Sequence, residues 1–319
     1  MPRIIRKTAV LAKIEATYGV DAAPSGATDA LLISDASFEI SYNNVARDIM
    51  RPYLGASEQL VGTRKVDISF TVEAAGSGTV ATAPAWGPLM QACGMAETVV
   101  ATKCVEYNPV SGGFKSATLY YSVDGVRYKA LGCRGSFVLA MGEGERPVFK
   151  FSMTGLDGGV VAAADPAVTL TAWKTPAVVT NQNSPGVVLG CGYTAPGFTA
   201  GTVYASRGME ITLGQDVRHV PLLGGETVEI TGRETTGTLQ LDLSAADVVA
   251  FMAAINGNQL TTLGFTHGTN AGSKVLVYAP AVQRVSPKVV DFNGQAHLSM
   301  DLRFTPTSSG NDEIRIIAA

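Results

Sequence analysis

The stretch "SFEISYNN", beginning at Ser37, is written a second time as "GMEITLGQ", beginning at Gly208. Each runs apolar residue, glutamate, isoleucine, hydroxyl residue, apolar residue, polar turn. The likeness continues downstream. "VARDIMRPYLGASEQLVGTRKVDISFTVEA" and "DVRHVPLLGGETVEITGRETTGTLQLDLSA" are both polar, turn-rich excursions that end in an alternating strand. Both carry an Arg followed by a Pro- and Leu-Gly-containing element, "RPYLG" from Arg51 and "VPLLGG" from Val220. Such a chain is expected to fold as two similar units.

In the first of those strands Val66, Ile68, Phe70 and Val72 share one face, and Lys65, Asp67, Ser69, Thr71 and Glu73 the other. In the second, Leu239, Leu241 and Leu243 oppose Thr238, Gln240, Asp242 and Ser244. Alternation at period two marks a strand with one packed face and one wet or interfacial face. Each unit then offers one short helix. The first is "PAWGPLMQACG", closed by Gly94. The second is "SAADVVAFMAAING", with Ser244 as N-cap, Asp247 at the third helical position and Asn256-Gly257 as its stop. Val248, Phe251, Met252 and Ile255 fall at the spacing of a single apolar stripe. A hairpin region and a last strand follow in both units, with Asp124-Gly125 a two-residue hairpin signal. The offset between matched positions shrinks from Phe70/Leu243 through Met90/Met252 to Phe151/Leu302, as shorter loops in a second copy would make it.

The boundaries expected are an N-terminal arm over residues 1–36, a first unit over 37–159, a linker or arm over 160–200, and a second unit over 201–319. The two arms are small, Pro-containing and poorly periodic, and are expected to be mobile in the free subunit.

Composition agrees with a β-rich protein that meets other protein. Glycine is abundant (35 residues) and only 16% of residues are charged, against roughly 25% in an average soluble domain. Mean hydropathy is +0.19. Assembly and a large, weakly charged monomer both fit these figures. The net charge of −3 lacks the basic excess of a protein that grips nucleic acid. The basic N-terminus is not read as a signal peptide, because Lys13 breaks its apolar run and no small-residue cleavage site follows. No stretch approaches the roughly 18 apolar residues of a membrane helix. Cys93, Cys104, Cys133 and Cys191 lack Cys-x-x-Cys spacing and are expected to be reduced and mostly buried, as in a cytoplasmic product.

Catalytic signatures are missing. His219, His267 and His297 stand alone, and no nucleophile elbow, P-loop or dinucleotide fingerprint follows a strand. "MGEGER", from Met141 to Arg146, links two strands and does not open a helix, so it reads as a turn and not a phosphate site. Asp67, Glu73, Asp242 and Asp301 alternate with Ser, Thr, Gln, Lys and Arg at strand spacing, which describes a polar face and not an acid–base pair or a Ca²⁺ loop. The expectation is no enzyme, no cofactor and no metal.

The opening "RKTAVLAKIEATYGVDAAPSGATDALLISD", running into "SFEIS", resembles the N-terminal region of major tail tube proteins of long-tailed bacteriophages, and is most similar to the two-domain type of Pseudomonas-infecting transposable siphophages. The resemblance covers roughly the first 75 residues; the later order of strand, long hairpin, strand, helix and strands is similar in pattern. It implies a mainly β fold: two tandem β-sandwich or half-barrel domains, each with one short flanking helix, plus extended arms. It also implies a structural virion protein that polymerises into a hollow tube of stacked rings conducting DNA to the host cell. Its partners would be other copies of itself, the tape measure protein and the tail terminator and tip proteins. DNA would pass transiently, and nothing would insert in a membrane. It would be found in the virion, and in the host cytoplasm during assembly. Family rings are hexameric, so a doubled chain would need three subunits for a pseudo-sixfold ring.

On that resemblance, the long excursions at 45–62 and 216–232 are candidates for ring-to-ring contacts, since long loops in compact domains are usually functional. Arg47, Asp48, Arg51, Tyr53, Glu58, Asp216, Arg218, Glu226 and Glu229 are the candidate residues, and exposed loop charges are the plain alternative. Asp67, Glu73, Asp242 and Asp301, lightened by Lys65, Lys150 and Arg303, are candidates for the lumen wall. A conduit should avoid a basic excess, because each phosphate neutralised by Lys or Arg adds affinity. Two other readings stay open: the tube of a contractile-injection or secretion machine, and a β-sandwich virion decoration or binding module. The latter predicts a cluster of exposed aromatics, whereas Tyr53, Trp86, Tyr120, Tyr121, Tyr128 and Trp173 are spread along the chain.

Overall fold

The computed structural model describes residues 3–319. Over half of the chain (54%) is strand and 6% is helix, in large antiparallel sheets with no closed barrel among the described residues. This is the mainly β architecture with two short helices that the periodicities imply.

Residues 8–162 contribute β1 (Thr8–Ile14), β2 (Ala30–Leu31), β3 (Ile33–Ala46), β4 (Gln59–Glu73), α1 (Gly87–Ala92), β5 (Met95–Val100), β6 (Cys104–Pro109), β7 (Ala117–Val123), β8 (Val126–Gly142) and β9 (Val148–Ala162). Their hydrogen-bonded order is β3–β4–β9–β8–β7–β1–β2, antiparallel throughout. The rest of the chain contributes β10 (Val187–Leu189), β11 (Gly192–Thr194), β12 (Gly197–Thr199), β13 (Thr202–Tyr204), β14 (Ser206–Thr212), β15 (Gln215–Leu222), β16 (Gly225–Arg233), β17 (Thr236–Leu241), α2 (Ala245–Asn256), β18 (Leu260–His267), β19 (Val275–Phe292), β20 (Gln295–Phe304) and β21 (Arg315–Ala318). Here the order is β14–β17–β20–β19–β18–β10–β13. The two orders match strand for strand, with β15 and β16 forming a separate distal hairpin where β3 and β4 simply run on.

The segments expected to be arms carry sheet strands. β1 lies between β7 and β2, with Val10, Leu11 and Ala12 all buried. Being buried on both faces, it lacks the alternation that marks a strand in sequence. Within residues 160–200, β9 continues to Ala162 and Val187–Leu189 joins β18. The irregular stretch between them is tied down as well. The Val179 N–H donates to Glu145 O (2.9 Å), the Thr169 N–H to Gly26 O (2.8 Å), and the Trp173 indole to Ala30 O (2.9 Å).

Among the described residues two strand pairings join the halves. The end of β8 pairs with β14, Val138 opposite Thr212 through Gly142 opposite Gly208. β21 lies between β19 and β6, tying the final strand to the first half. One hydrophobic core accordingly draws buried residues from both halves.

The helices differ. In α1, Leu89, Met90 and Ala92 are buried, and the preceding Trp86 packs at 5.1 Å from both Tyr107 and Phe149 while its indole donates to Ala75 O (2.7 Å). In α2, Ser244 caps as expected, accepting from the Asp247 N–H (3.2 Å). Of the expected stripe only Phe251 is buried; Val248 and Ile255 are half-buried and Met252 is exposed. The Asp124-Gly125 turn closes β7 onto β8, both residues at positive φ (38° and 86°), which the tight hairpin turn requires.

Candidate assembly surfaces

Because β8 pairs with β14, eight strands run continuously across both halves: β3–β4–β9–β8–β14–β17–β20–β19. Period-two alternation puts Phe38, Ile68, Met153, Leu139, Ile211, Leu239 and Met300 on the core side. The opposite side is one polar wall. Cross-strand registers align its residues in rows. One runs Glu39, Asp67, Thr154, and another runs Ala140, Glu210, Thr238, Asp301. A third runs Thr71, Lys150, Val138, Thr212, Thr236, Arg303.

The charges on this wall are of both signs and partly self-compensated. Lys65 bridges Asp67 at 2.8 Å, and the Thr154 hydroxyl donates to Asp67 at 2.8 Å. Arg146 reaches Glu73 at 3.3 Å, and Arg303 pairs with Glu234. Glu39, Glu210 and Asp301 are exposed. Of the residues singled out in the sequence, Asp67, Glu73 and Asp301 share this wall. Asp242 sits one residue past β17, exposed, its N–H donating to Ala205 O (3.0 Å). Glu39, Glu210 and Lys288 were not singled out. The signal for the two glutamates was in the duplicated stretch itself, where each alternates with apolar neighbours.

The hairpins hold the other candidates. Beyond β3, Glu58 pairs with both Arg47 and Arg51, the latter at 3.3 Å. Asp48 and Tyr53 are exposed in the same loop. On the second hairpin Asp216 bridges Arg218 (2.8 Å) and accepts from the Thr231 hydroxyl (2.8 Å). The Thr231 hydrogen bond, and then Arg218, hold the Asp216 carboxyl below its ordinary range. Glu226 pairs with His219 at 2.6 Å. Glu229 points back to the first half, 2.5 Å from Arg134.

Arg134, which no sequence pattern marked, anchors the second hairpin. It donates to Val228 O (2.7 Å) and Phe114 O (3.2 Å) and lies 4.8 Å over the Tyr18 ring. The Tyr18 hydroxyl in turn accepts from the Val228 N–H (2.5 Å), and burial raises its pKa. The first hairpin is tied to the sheet near its base, where Arg64 bridges Asp157 at 3.0 Å, and projects beyond that point. Tyr42, Val45, Leu60 and Val61 are exposed along it, as are Met50, Tyr53 and Leu54 at its tip. Leu222 and Leu223 are exposed at the other tip.

Reactive chemistry is suppressed. All four cysteines are free and buried, and burial pushes the Cys93 and Cys133 thiols far up, away from the nucleophilic thiolate. His267 is buried in β18 with its Nδ1 at 2.9 Å from Ser184 Oγ, and burial lowers its pKa so that the neutral ring is favoured. Among the described residues no cluster of three or more His, Cys, Asp or Glu side chains could hold a metal ion, and no helix is long and apolar enough to cross a membrane.

The profile of one family, described as phage tail tube protein, matches residues 5–316. No curated relative matches the chain. The family is structural and non-enzymatic, and its members self-assemble into the tube of a virion. Matched over nearly its whole length and built of the expected antiparallel sheets, the chain belongs to the phage tail tube protein family.

Proposed function

We propose that this tail tube subunit is a duplicated, two-domain form that builds trimeric, pseudo-hexameric rings, and that these stack into the DNA conduit of a siphophage-type tail. The observation that carries the reading is the matched strand order of the two halves, joined edge to edge by β8 and β14 into one sheet. One chain then occupies two consecutive positions of a six-position ring, and three chains complete it.

The polar wall of that sheet is assigned to the lumen. Glu39, Asp67, Glu73, Glu210 and Asp301 stand among Lys65, Lys150, Lys288 and Arg303, so DNA would meet no basic excess to grip it. The hairpin tips are assigned to contacts between rings, with Tyr53-Leu54 and Leu222-Leu223 as apolar contact points. Arg47, Arg51, Glu58, Asp216, Arg218 and Glu226 are already paired within the chain. They serve ring contacts by exchanging or sharing those partners, while Asp48 has its charge exposed for a new one. Glu229, held by Arg134, serves the joint between the halves. The tape measure protein before ejection, and terminator and tip proteins at the ends, are the further partners in this reading.

Negative-stain electron microscopy of the purified chain at rising concentration tests it. Hollow particles with threefold symmetry and a pseudo-sixfold outline are expected. Rings of six whole chains would overturn the two-in-one account, and monomers at every concentration would favour a decoration module.

A further inference from the structure

We infer that Arg284 is an assembly residue: its unpaired guanidinium receives the Glu58 carboxylate of a second copy of this chain, which gives up Arg47 and Arg51 to reach it. The inference rests on the tube reading above and adds a contact to it.

Arg134 and Arg284 are buried to the same degree, each 8% exposed. Both lie over aromatic rings, Arg134 over Tyr18 and Phe114, and Arg284 at 4.6 Å over Phe251 of α2. Arg134 is satisfied by Val228 O, Phe114 O and Glu229. Among the described residues Arg284 makes no side-chain hydrogen bond and no ion pair, and its Nε is buried without a partner. Burial lowers its pKa, and Tyr204 is the group that offsets this; no carboxylate does. A buried charge without a partner is costly, and a carboxylate is the group that compensates a guanidinium best.

The two arginines stand at nearly the same place on counterpart strands. Arg134 of β8 faces Thr154, and Val285 of β19 faces Asp301, the counterpart of Thr154; Arg284 is the next residue. What reaches Arg134 is the hairpin of the other half, through Glu229.

Register identifies the equivalent of Glu229 on the free hairpin. Phe38 faces Ile68 as Met209 faces Leu239, so Ser41 facing Lys65 corresponds to Thr212 facing Thr236. Five residues further along, Ala46 faces Gln59 where Val217 faces Ile230. The next pair is Arg218 with Glu229 on one hairpin and Arg47 with Glu58 on the other. In the docked hairpin, Glu229 has gone to Arg134, and Arg218 bridges Asp216 instead. In the free hairpin, Glu58 is still held by Arg47 and Arg51.

The surfaces around the two groups match. Beside Arg284 the face of α2 is open, with Val249 71% exposed and Met252 exposed. Tyr42, Val45, Leu60 and Val61 are exposed on the free hairpin. On the docked hairpin Val228 and Ile230 are buried, and Gln215 Nε2 donates to Cys93 O (2.8 Å), just past α1. Asn44, the counterpart of Gln215, is exposed. The occupant of the open α2 face is therefore the free hairpin of a second copy. Releasing Glu58 costs little, because its present pairs are exposed to water. Arg284 is already desolvated and ordered in the free chain, so pairing it carries little further desolvation cost on its side.

A double-mutant cycle on assembly tests this. Glu58→Gln, Arg284→Met and the double variant are compared with the wild type for the lowest concentration at which hollow particles form, by light scattering with negative-stain micrographs. Each single variant is expected to raise that concentration at least about tenfold, and the double variant no further. Arg284→Met should leave the melting temperature of the free subunit unchanged or higher, since it removes an unpaired buried charge. Glu58→Lys, at an exposed position that leaves the fold alone, is expected to block assembly by facing Arg284, and Arg284→Met to relieve the block. Additive losses in particles that stay hollow, or a Glu58→Lys block that Arg284→Met does not relieve, would overturn the pairing and leave the tube reading intact. A lower melting temperature for Arg284→Met would assign Arg284 to the fold of the free chain and overturn its role. Wild-type chains that stay monomeric at every concentration would overturn both readings.

Discussion

The two halves of this subunit share a strand order and differ in what finishes them. In the first half the helix is buried against Trp86 and the hairpin projects with apolar residues exposed. In the second half the hairpin is docked through Arg134, Tyr18 and Phe114, and the helix lies on the surface with only Phe251 buried. The same local pattern therefore reaches two endpoints, and the neighbour decides which. The docked hairpin has the other half beneath it. For the free hairpin, the equivalent neighbour under the ring reading is the next subunit.

Breaking the contrast between the helices should give the largest effect. Leu89→Ala removes a fully buried side chain of α1 and is expected to lower unfolding free energy by about 2–5 kcal/mol. Val249→Ala, at an exposed position of α2, should stay within about 0.5 kcal/mol. Urea unfolding of both variants checks this, and equal losses would mean that α2 is covered in solution.

The hairpins should differ by a smaller margin. Arg134→Met leaves the Val228 and Phe114 carbonyls and Glu229 without their donor. Because Glu229 is partly exposed, the loss is expected near 2 kcal/mol, below that of a fully buried pair, with faster amide exchange confined to residues 215–233. Glu58→Gln on the free hairpin breaks only exposed pairs and should cost within about 1 kcal/mol in the free subunit. If the two losses were equal, the docking contacts would add nothing beyond what an exposed ion pair contributes.

Acidification separates the halves differently. The His267 pKa is lowered by burial from an ordinary value near 6.5. The unfolded chain therefore binds the proton more readily, and the contribution of the neutral ring is whole above about pH 6.5 and lost as pH falls below it. The melting temperature is expected to fall between pH 7 and pH 5 more steeply in the wild type than in His267→Asn. Parallel curves would contradict this. The smallest effect on the fold should come from the tips: Leu222→Ser with Leu223→Ser should leave the melting temperature of the free subunit unchanged and, on the ring-contact reading, shorten tubes in micrographs. Tubes of normal length would remove the tips from that role.

Much of this architecture was legible in the chain. Alternation marked β4, β17, β9 and β20, Ser244 marked the start of α2, and Asp124-Gly125 marked a tight turn. β1 was missed because Val10, Leu11 and Ala12 are buried on both faces and show no period. Sequence spacing matched Phe151 to Leu302, but register sets Phe151 beside Phe70 and Leu302 beside Gly237, so the counterpart of Phe151 is Leu298, which faces Leu241. Loop lengths hide register, since a strand slid by two residues keeps the same face pattern.

Of the candidate residues, those on strands were placed by alternation, while the partners of those on hairpins were not. Nothing near Glu229 in the chain points to Arg134, 95 residues away. What the sequence determined by itself was which side chains face the core and which form the polar wall, because that choice is set residue by residue through burial of apolar groups. The tertiary structure alone decided which strand edges meet, at β8 with β14 and at β21 between β19 and β6. Edge pairing is made by backbone N–H and C=O groups that every residue but proline carries alike, so it leaves no mark in the letters of the chain.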